Sequence, residues 1–347
     1  MELESFYKGK KVLITGHTGF KGTWLSFLLD QFGTQIYGYS LPPERESLYV
    51  KAHPVYQKEI FSDVRDKSSF SEFICKVEPD IIFHLAAHST LDRVLEIPYS
   101  VFEINVMGTA ALMDCVRKFS HPVSVVVVTS DKCYLQDGAE HVFHEQDPLG
   151  AADPYSTSKA CQDLVVQSFL CSFQELSACT ARASNTVGGG DGNMSRLLPY
   201  LIKNFSDKTP AVIRNPNHIR PWQYVLDVLH GYLILGKHLY TRCEPLSSAY
   251  NFGPSPDGFQ TVQALADKLA DLFHAPHASV HAQKAVHEAP LLKLCSDRAN
   301  RELGWIPYYS FEQMLEEVVQ FNQEEQDVST VYACRSAISR FLSRLER

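Results

Sequence analysis

One stretch, Val12-Leu-Ile-Thr-Gly-His-Thr-Gly-Phe-Lys-Gly-Thr-Trp24, runs from an apolar strand into three glycines, with two residues between each glycine and the next. In such a turn Gly16 lets the strand reverse, Gly19 lets the backbone approach a pyrophosphate, and Gly22 lets the following helix pack on the sheet. The N–H groups at the start of that helix then face the phosphates. The stretch therefore predicts a βαβ unit that binds NAD or NADP.

The choice between the two cofactors stays open at the end of the second predicted strand. In this fold an acidic residue about twenty positions after the turn normally binds the adenosine ribose. Here the strand ends in Tyr39-Ser40-Leu41, which carries no carboxylate. His17, Lys21 and Arg45 are candidates for binding a 2′-phosphate, with solvated surface positions as the alternative. Asp63 is predicted to contact the adenine edge or, equally, to cap the helix that follows it.

Composition and charge limit the classes of protein to which this chain can belong. The 347 residues are 45% hydrophobic and 21% charged, as in a globular protein of one large or two smaller domains. A net charge of −8 without long basic runs argues against nucleic acid as a main partner. No apolar run reaches the roughly twenty residues that span a bilayer, so we expect no membrane partner and a cytoplasmic location. The nine cysteines include no Cys-x-x-Cys pair, which favours free thiols and no metal.

Strand-like and helix-like runs alternate along the first half of the chain, which indicates βαβ units and a parallel sheet. The predicted strands span 12–15, 35–39, 81–85, 123–129 and 177–183. After about Gly188 glycines and prolines separate shorter elements, and we predict helices over 197–205, 260–273, 311–321 and 328–347. The last of these is assigned to packing or to a dimer surface.

The predicted fold class is α/β, a Rossmann-like doubly wound parallel sheet with a smaller C-terminal substrate-binding lobe. Residues 1–187 form the NAD(P)-binding domain with the catalytic residues, and residues 188–347 form mainly the lobe. A segment of about 219–255 returns to the first domain. Such a lobe closes over the carboxyl ends of the strands, where ligands bind in open α/β sheets.

A tyrosine and a lysine at helical i,i+4 spacing follow Pro154. Tyr155 and Lys159 therefore share one helix face. A cation beside a phenol lowers the pKa of the phenol, so Tyr155 is predicted to remove a hydroxyl proton while hydride leaves the same carbon for nicotinamide. Lys159 also reaches the nicotinamide ribose. This spacing is common on helix surfaces, and it is the preceding nucleotide-binding half that favours catalysis.

The end of the central predicted strand is polar, reading Thr129-Ser-Asp-Lys-Cys-Tyr134. Ser130 is predicted to polarise a reacting carbonyl or hydroxyl. Asp131 and Lys132 form an acid and base pair if burial raises the pKa of the carboxyl and lowers that of the ammonium. The alternative for this pair is a surface salt bridge, and the residues alone favour neither.

Segments spread over most of the chain carry a family resemblance. They are Gly16-His-Thr-Gly-Phe-Lys-Gly22, Gly38-Tyr-Ser-Leu-Pro-Pro43, His84-Leu-Ala-Ala87, Asn105-Val-Met-Gly-Thr109, Thr129-Ser-Asp-Lys-Cys-Tyr134, Asp147-Pro-Leu-Gly150, Asp153-Pro-Tyr-Ser156, Gly188-Gly-Gly-Asp191, Asn215-Pro-Asn217, Ile219-Arg-Pro-Trp-Gln223 and Leu303-Gly-Trp305. The chain resembles the extended short-chain dehydrogenase/reductases, the NAD-dependent epimerase/dehydratases, and within them the CDP-glucose dehydratases. The glycine turn and Tyr-x-x-x-Lys mark only the superfamily, whereas Ser-Asp-Lys-Cys-Tyr and Ile-Arg-Pro-Trp-Gln are more specific.

The resemblance implies an internal redox cycle on a nucleotide-linked glucose. Tyr155 and Ser130 help to oxidise the 4-hydroxyl, after which Lys132 removes the C5 proton and Asp131 protonates the departing 6-hydroxyl. Hydride then returns to C6, so NAD is regenerated. NADP is left open. The implied cofactor contacts are Gly16, Thr18, Gly19, Phe20, Lys21, Gly22, Ser40, Asp63, Val64, Leu85, Ala86, Ala87, Asn105, Tyr155 and Lys159. The implied substrate contacts are His88, Arg93, Asn185, Arg196, Arg220 and Gln223.

Departures from the family pattern cluster on the substrate side. Gly192-Asn-Met-Ser195 stands where the family has a tryptophan and acidic residues, Pro290 replaces a histidine and Cys295 replaces an aspartate. A related nucleotide sugar is therefore an alternative substrate. A nucleotide-sugar 4-epimerase, which needs no second acid–base pair, and a non-catalytic nucleotide-binding protein are the alternative functions. The resemblance also implies a homodimer through helices over 101–119 and 155–173, with simple coverage of the sheet as the alternative for these amphipathic helices.

Overall fold

The computed structural model describes residues 2–89, 94–136, 141–241, 246–280 and 293–346. The helices are α1 Glu2–Tyr7, α2 Phe20–Gln31, α3 Leu48–Ala52, α4 Lys67–Val77, α5 Pro98–Phe102, α6 Gly108–Val116, α7 Pro154–Ser172, α8 Leu197–Ser206, α9 Val225–Thr241, α10 Val262–Phe273, α11 Asp297–Leu303, α12 Phe311–Asp327 and α13 Thr330–Leu345. The strands are β1 Lys11–Thr15, β2 Gln35–Ser40, β3 Lys58–Phe61, β4 Ile81–His84, β5 Ser124–Val128, β6 Val142–Phe143, β7 Ser177–Ala183, β8 Asn185–Val187, β9 Val212–Ile213, β10 Ile219–Tyr224, β11 Ala249–Phe252, β12 Phe259–Thr261, β13 Ser279–Val280 and β14 Lys293–Leu294.

The main sheet has seven parallel strands in the order β11-β7-β5-β4-β1-β2-β3. Strand order reverses at β1, which pairs with β2 on one side and β4 on the other, and a ligand crevice forms at such a switch point. The predicted doubly wound parallel sheet is confirmed. The ends of each of the five predicted strands lie within two residues of the ends of an observed strand.

The central strand β5 shows why these residues form a buried sheet. Its valines are β-branched and alternate between two hydrophobic layers. Val125 and Val127 pack on the side of α4 and α6, whereas Val126 and Val128 pack on the side of α2 and α9. The carboxyl end of β5 is therefore fixed from both faces, and the polar residues that follow it start from a rigid support.

The helix predicted over 101–119 is interrupted. A π-helical turn, Glu103–Met107, separates α5 from α6. Within it the buried Asn105 accepts a hydrogen bond from the N–H of His88 at 2.8 Å and donates one to Ser158 Oγ at 2.8 Å. Turns of this kind recur at functional sites. Here it places an amide between the loop after β4 and helix α7.

The second half of the chain contributes both to the main sheet and to smaller ones. Strand β11 forms the edge of the main sheet beside β7, and β8, β10 and β12 form a three-stranded sheet. Helix α13 starts at Thr330 rather than 328 because the Ser329 side chain accepts from the N–H of Tyr332 and caps it. Its buried face, which includes Phe341, joins the core. The division of the chain at residue 187 stays a prediction.

None of the helices in the described residues is both long and apolar enough to cross a membrane.

Candidate active site

The glycine turn after β1 has the geometry of a phosphate cradle. Gly16 has a φ of 73°, and a Cβ there would lie 2.8 Å from the N atom of Ala86. A Cβ at Gly22 would lie 2.3 Å from the carbonyl oxygen of Gly16, so only glycine lets α2 start this close to the strand. Gly19 is the N-cap of α2 and supplies no side-chain cap, which leaves first-turn N–H groups for a ligand. These features fit a dinucleotide pyrophosphate.

The predicted adenosine end of this site is built from hydroxyls rather than carboxylates. Ser40 Oγ lies 2.8 Å from Thr18 Oγ1, and both side chains are buried. Asp63 accepts from the N–H of Arg65 at 2.9 Å, and the side-chain bond to this arginine holds the pKa of Asp63 below its usual value. The alternative role of Asp63 as a helix cap is wrong, because Asp66 caps α4 instead.

Two of the three candidates for a 2′-phosphate point elsewhere. The buried His17 places Nε2 2.9 Å from Glu59 Oε2, and its ring fills the space where a Cβ at Gly38 would lie. Lys21 reaches Tyr232, with 3.5 Å between Nζ and the phenol oxygen. Arg45 alone is exposed near β2. The structure therefore does not support a 2′-phosphate role for His17 or Lys21.

The turn after β5 holds a buried carboxyl group. Ser130 Oγ donates to Asp131 Oδ1 at 3.0 Å and accepts from the N–H of Lys132 at 3.2 Å, which closes a 3-10 turn over Asp131–Cys133. Oδ2 of Asp131 is buried and has no hydrogen-bond partner among the described residues. Burial raises the pKa of Asp131, although the neighbouring Lys132 opposes the shift. The alternative of a surface salt bridge is wrong for this carboxyl, which is suited to hold a proton.

Helix α7 brings Tyr155 and Lys159 against the same turn. Burial raises the pKa of Tyr155 to about 12, opposed by a hydrogen bond with Ser130. Lys159 Nζ donates to the carbonyl oxygen of Val128 at 3.2 Å, and burial together with the charge of Lys21 lowers its pKa to about 7. The predicted lowering of the phenol pKa is therefore wrong for the chain alone, because desolvation outweighs the hydrogen bond with Ser130 and the charge of Arg196.

Two arginines face this cluster from the second half of the chain. Arg196 Nη1 lies 2.9 Å from Asp191 Oδ2, and its charge lowers the pKa of Lys21. Arg220 Nη1 donates to the carbonyl oxygen of Ile219 at 3.0 Å, and its charge acts against the rise in the pKa of Asp131. The structure thus brings both predicted substrate arginines beside the catalytic candidates. Asn185, on β8, pairs in register with Trp222 on β10.

Two residues that were predicted to contact substrate or cofactor form hydrogen bonds with other parts of the protein. Gln223 is buried, donates to the carbonyl oxygen of Gly253 at 2.9 Å and accepts from Ser184 Oγ at 3.0 Å. Asn105 spans His88 and Ser158 as described. Both amides hold backbone segments together, and for Gln223 this bonding disagrees with a direct substrate contact.

Some of the remaining predicted site residues lie at or near the glycine turn, and the others lie outside the described residues. Leu85 and Ala86 lie against Gly16, and Val64 lies against Gly108. Phe20 opens α2, and Ala87 and His88 follow β4. Arg93 and Pro290 lie outside the described residues. Among those described, no three His, Cys, Asp or Glu side chains are arranged to hold a metal ion.

Tyr232 is a residue of this cluster that the sequence analysis missed. It is fully buried on α9, contacts Lys21, and has a pKa raised by burial and by the nearby Tyr155 and Asp131. In sequence it stands in an apolar helix, where a tyrosine is indistinguishable from ordinary core. Only the packing of α9 against α2 and the sheet places it here.

Comparisons with known proteins agree with this geometry. Residues 12–252 match the model of the NAD dependent epimerase/dehydratase family. The chain is 37% identical over 335 residues to a CDP-glucose 4,6-dehydratase of Salmonella typhimurium, covering 92% of each chain. Two solved structures share the fold. An epimerase from Methanothermobacter thermautotrophicus has a TM-score of 0.82 at 22% identity, with 94% of this chain and 96% of that one covered. A dTDP-glucose 4,6-dehydratase from Bacillus anthracis in complex with NAD has a TM-score of 0.77 at 21% identity, with 94% and 100% covered. The extent of the family match and the 37% identity place the chain in the NAD dependent epimerase/dehydratase family, to which it belongs.

Proposed function

We propose that the chain is a nucleotide-sugar dehydratase that converts CDP-glucose to CDP-4-keto-6-deoxyglucose and water with NAD as its cofactor. The observation that carries the proposal is the buried Asp131, whose free carboxylate oxygen lies in the same cluster as Ser130 and Tyr155. A dehydratase needs a second acid beside its oxidation machinery. The 37% identity to a protein named for this reaction supports CDP-glucose as the substrate.

The oxidation half of the site consists of Tyr155, Ser130 and Lys159. NAD held by the turn of Gly16, Gly19 and Gly22 would supply reversible hydride transfer with the sugar. Tyr155 takes the proton of the 4-hydroxyl as it passes its own phenol proton to neutral Lys159, with Ser130 bonded to the phenol. Lys159, whose pKa is lowered to about 7 by burial, holds or releases a proton at neutral pH beside this phenol.

The dehydration half of the site consists of Asp131 and Lys132. Once C4 is a ketone, the proton on C5 is acidic enough for Lys132 to remove it. Asp131 gives its proton to the departing 6-hydroxyl, which leaves as water. Burial favours the protonated form of Asp131 and so suits it to this role. Arg196 and Arg220 bind the diphosphate through their planar guanidinium groups.

The epimerase alternative shares Tyr155, Lys159 and NAD with this proposal. It gives no role to the buried acid next to Lys132, so the site favours the dehydratase. The homodimer also remains part of the proposal. It is supported by exposed apolar side chains in the two segments assigned to it, where Met107 is 63% and Leu164 52% exposed, and by Tyr99 just before the first segment, which is 75% exposed.

The proposed location is the cytoplasm. All eight cysteines in the described part of the chain are free thiols, as a reducing compartment allows.

The direct test is to incubate the protein with CDP-glucose and NAD, follow the nucleotide sugar by mass spectrometry, and record nicotinamide absorbance. We expect loss of one water without net NADH. Asp131→Asn should slow water loss by about a hundredfold or more, because it removes a positioned acid. Lys203→Met, which removes an exposed lysine paired with Asp207, is the control. An unchanged sugar mass, or an Asp131→Asn variant as active as the wild type, would contradict the proposal.

A further inference from the structure

A buried ion pair joins helix α7 to strand β7 below the catalytic cluster. Arg182 on β7 donates to Asp163 Oδ1 through Nε at 3.0 Å and through Nη2 at 2.9 Å. Both side chains are fully buried. Asp163 lies one helical turn after Lys159, so it is on the helix face that carries Lys159 and Tyr155. The fork of two bonds fixes the orientation of the guanidinium group relative to α7.

The third nitrogen of the same guanidinium reaches the other catalytic segment. Arg182 Nη1 donates to the phenol oxygen of Tyr134 at 2.8 Å, and that phenol donates to Asn251 Oδ1 at 2.6 Å. Tyr134 immediately follows the turn that carries Asp131 and Lys132. One buried arginine therefore connects the helix of the oxidation residues with the turn of the dehydration residues.

The Tyr134 ring is held independently of its hydroxyl. Phe143 stacks on it with 4.9 Å between ring centroids and 12° between planes, and the Arg182 guanidinium lies 5.0 Å from its centroid. Asn251 is fixed in turn, since its Nδ2 donates to the carbonyl oxygen of Phe143 at 3.0 Å. Removal of the hydroxyl alone should therefore cut the connection and leave the packing in place.

Stability is a poor explanation for such a network. Taking an arginine and an aspartate out of water costs free energy that their attraction only partly offsets. One oxygen of this pair, Asp163 Oδ2, is buried without a hydrogen-bond partner among the described residues. What the bonds do supply is a fixed distance and angle between two segments that are far apart in sequence.

We propose that Tyr134 and Arg182 are positioning residues that set Asp131 and Lys132 relative to Tyr155 and Lys159, so that a sugar oxidised at C4 is dehydrated before it can return to substrate. The proposal rests on the function proposed above. In the oxidation, the 4-hydroxyl proton goes to Tyr155 and hydride goes to NAD. In the elimination, the C5–H and C6–O bonds break and a C5–C6 double bond forms. The proton goes to Lys132, and the hydroxyl leaves as water with the proton of Asp131.

The test compares Tyr134→Phe and Arg182→Lys, which break the same hydrogen bond from its two ends. In a quenched single turnover with CDP-glucose and NAD, mass spectrometry measures the ratio of dehydrated sugar to the oxidised sugar that has not lost water. We expect both variants to lower this ratio about tenfold, because a misplacement of about 1 Å can cost up to about a hundredfold in rate. The control is Tyr7→Phe, since Tyr7 is equally buried and donates to the carbonyl oxygen of Leu233 at 2.8 Å, outside the hydrogen-bond network of Tyr134 and Arg182.

A merely structural role predicts a different pattern. Tyr7→Phe and Tyr134→Phe would then lower the melting temperature alike, and the ratio of products would stay at the wild-type value in every variant that folds. That result would overturn the proposal, as would an equal change of the ratio in Tyr7→Phe. If Arg182→Lys fails to fold, Tyr134→Phe decides.

Crystal structures of the variants separate this proposal from the proposed function. A wild-type protein that releases no water from CDP-glucose would overturn the function. The position of the 131–133 turn relative to α7 then tests the positioning role without substrate. We expect a displacement of about 0.5 Å or more in Tyr134→Phe and none in Tyr7→Phe. A turn that superposes on the wild type in Tyr134→Phe would overturn the positioning role.

Discussion

Two glycine runs, Gly16–Gly22 and Gly188–Gly190, serve different purposes in this molecule. In the first, the space around Gly16 and Gly22 is taken by backbone atoms of the same turn and of the β4 loop. In the second, the space is taken by side chains from distant elements, with Phe321 of α12 against Gly189 and Leu48 of α3 against Gly190. The first run leaves helix N–H groups free for a ligand, whereas the second is a close packing surface.

The difference shows which kind of glycine a spacing rule can identify. The first run repeats a local geometry of strand, turn and helix, so its spacing alone indicates its use. The second has neighbours that are far away in sequence, so its glycines become interpretable only in the folded chain. The helix that the first run opens also contacts the second run, because Trp24 Nε1 on α2 donates to the carbonyl oxygen of Gly189 at 3.1 Å. The cofactor and substrate sides are thereby fixed to each other.

The largest effect that this comparison predicts is on cofactor binding in Gly22→Ala. The new Cβ would lie 2.3 Å from the carbonyl oxygen of Gly16 and 2.7 Å from the Cα of His17, and neither backbone atom can move without opening the turn. We expect the dissociation constant for NAD, measured by calorimetric titration, to rise about a hundredfold, the equivalent of about 3 kcal/mol. Gly189→Ala serves as the control and should keep wild-type affinity. Equal losses of NAD affinity in Gly22→Ala and Gly189→Ala would contradict the distinction between the two glycine runs.

The next effect is on stability in Gly189→Ala. Its Cβ would lie 2.0 Å from Cγ of Phe321, a side-chain clash that costs about 1–3 kcal/mol of unfolding free energy. Because the obstacle is a side chain, Phe321→Leu should recover part of this loss, and a double-mutant cycle by urea denaturation measures the recovery. The effects of Phe321→Leu and Gly22→Ala on the free energy of unfolding should be additive. If the unfolding free energies of Gly189→Ala and Phe321→Leu are also additive, the clash between the new Cβ and the Phe321 ring is relieved elsewhere.

Much of the cofactor side could be predicted from sequence because its signals are local. The β-branched run of β5, the glycine turn and the spacing of Tyr155 and Lys159 each describe neighbours along the chain. The missed features depend on tertiary contacts. The bond between Tyr134 and Arg182 joins residues 48 positions apart. The pKa of Tyr155 rises rather than falls because burial, which no spacing reveals, outweighs the hydrogen bond with Ser130 and the charge of Arg196.

The smallest predicted effect is the change of protein stability with pH. It follows from the different surroundings of two cationic residues on either side of the site. Arg196 is paired with the Asp191 carboxylate, whereas Lys159 is almost fully buried against a carbonyl oxygen, with its pKa lowered from 10.5 to about 7. Between these two values the unfolded chain binds a proton that folded Lys159 has released, so Lys159 makes the stability of the protein without added cofactor rise with pH. Asp227, whose pKa is raised to about 7 by burial, opposes part of this rise. The gain from pH 7 to pH 8 is about 1 kcal/mol, or about 2 °C in melting temperature by calorimetry.

Two substitutions test whether Lys159 is the group responsible for that rise. Lys21, whose pKa is lowered to about 8 by burial and by Arg196, contributes in the same direction. Lys159→Met should therefore flatten the rise without abolishing it. Lys76→Met removes an exposed lysine that is paired with Glu72, and it should leave the rise unchanged. A wild-type slope in Lys159→Met would mean that Lys159 keeps its charge in the folded chain, and the proposed proton exchange with Tyr155 at neutral pH would then lose its physical basis.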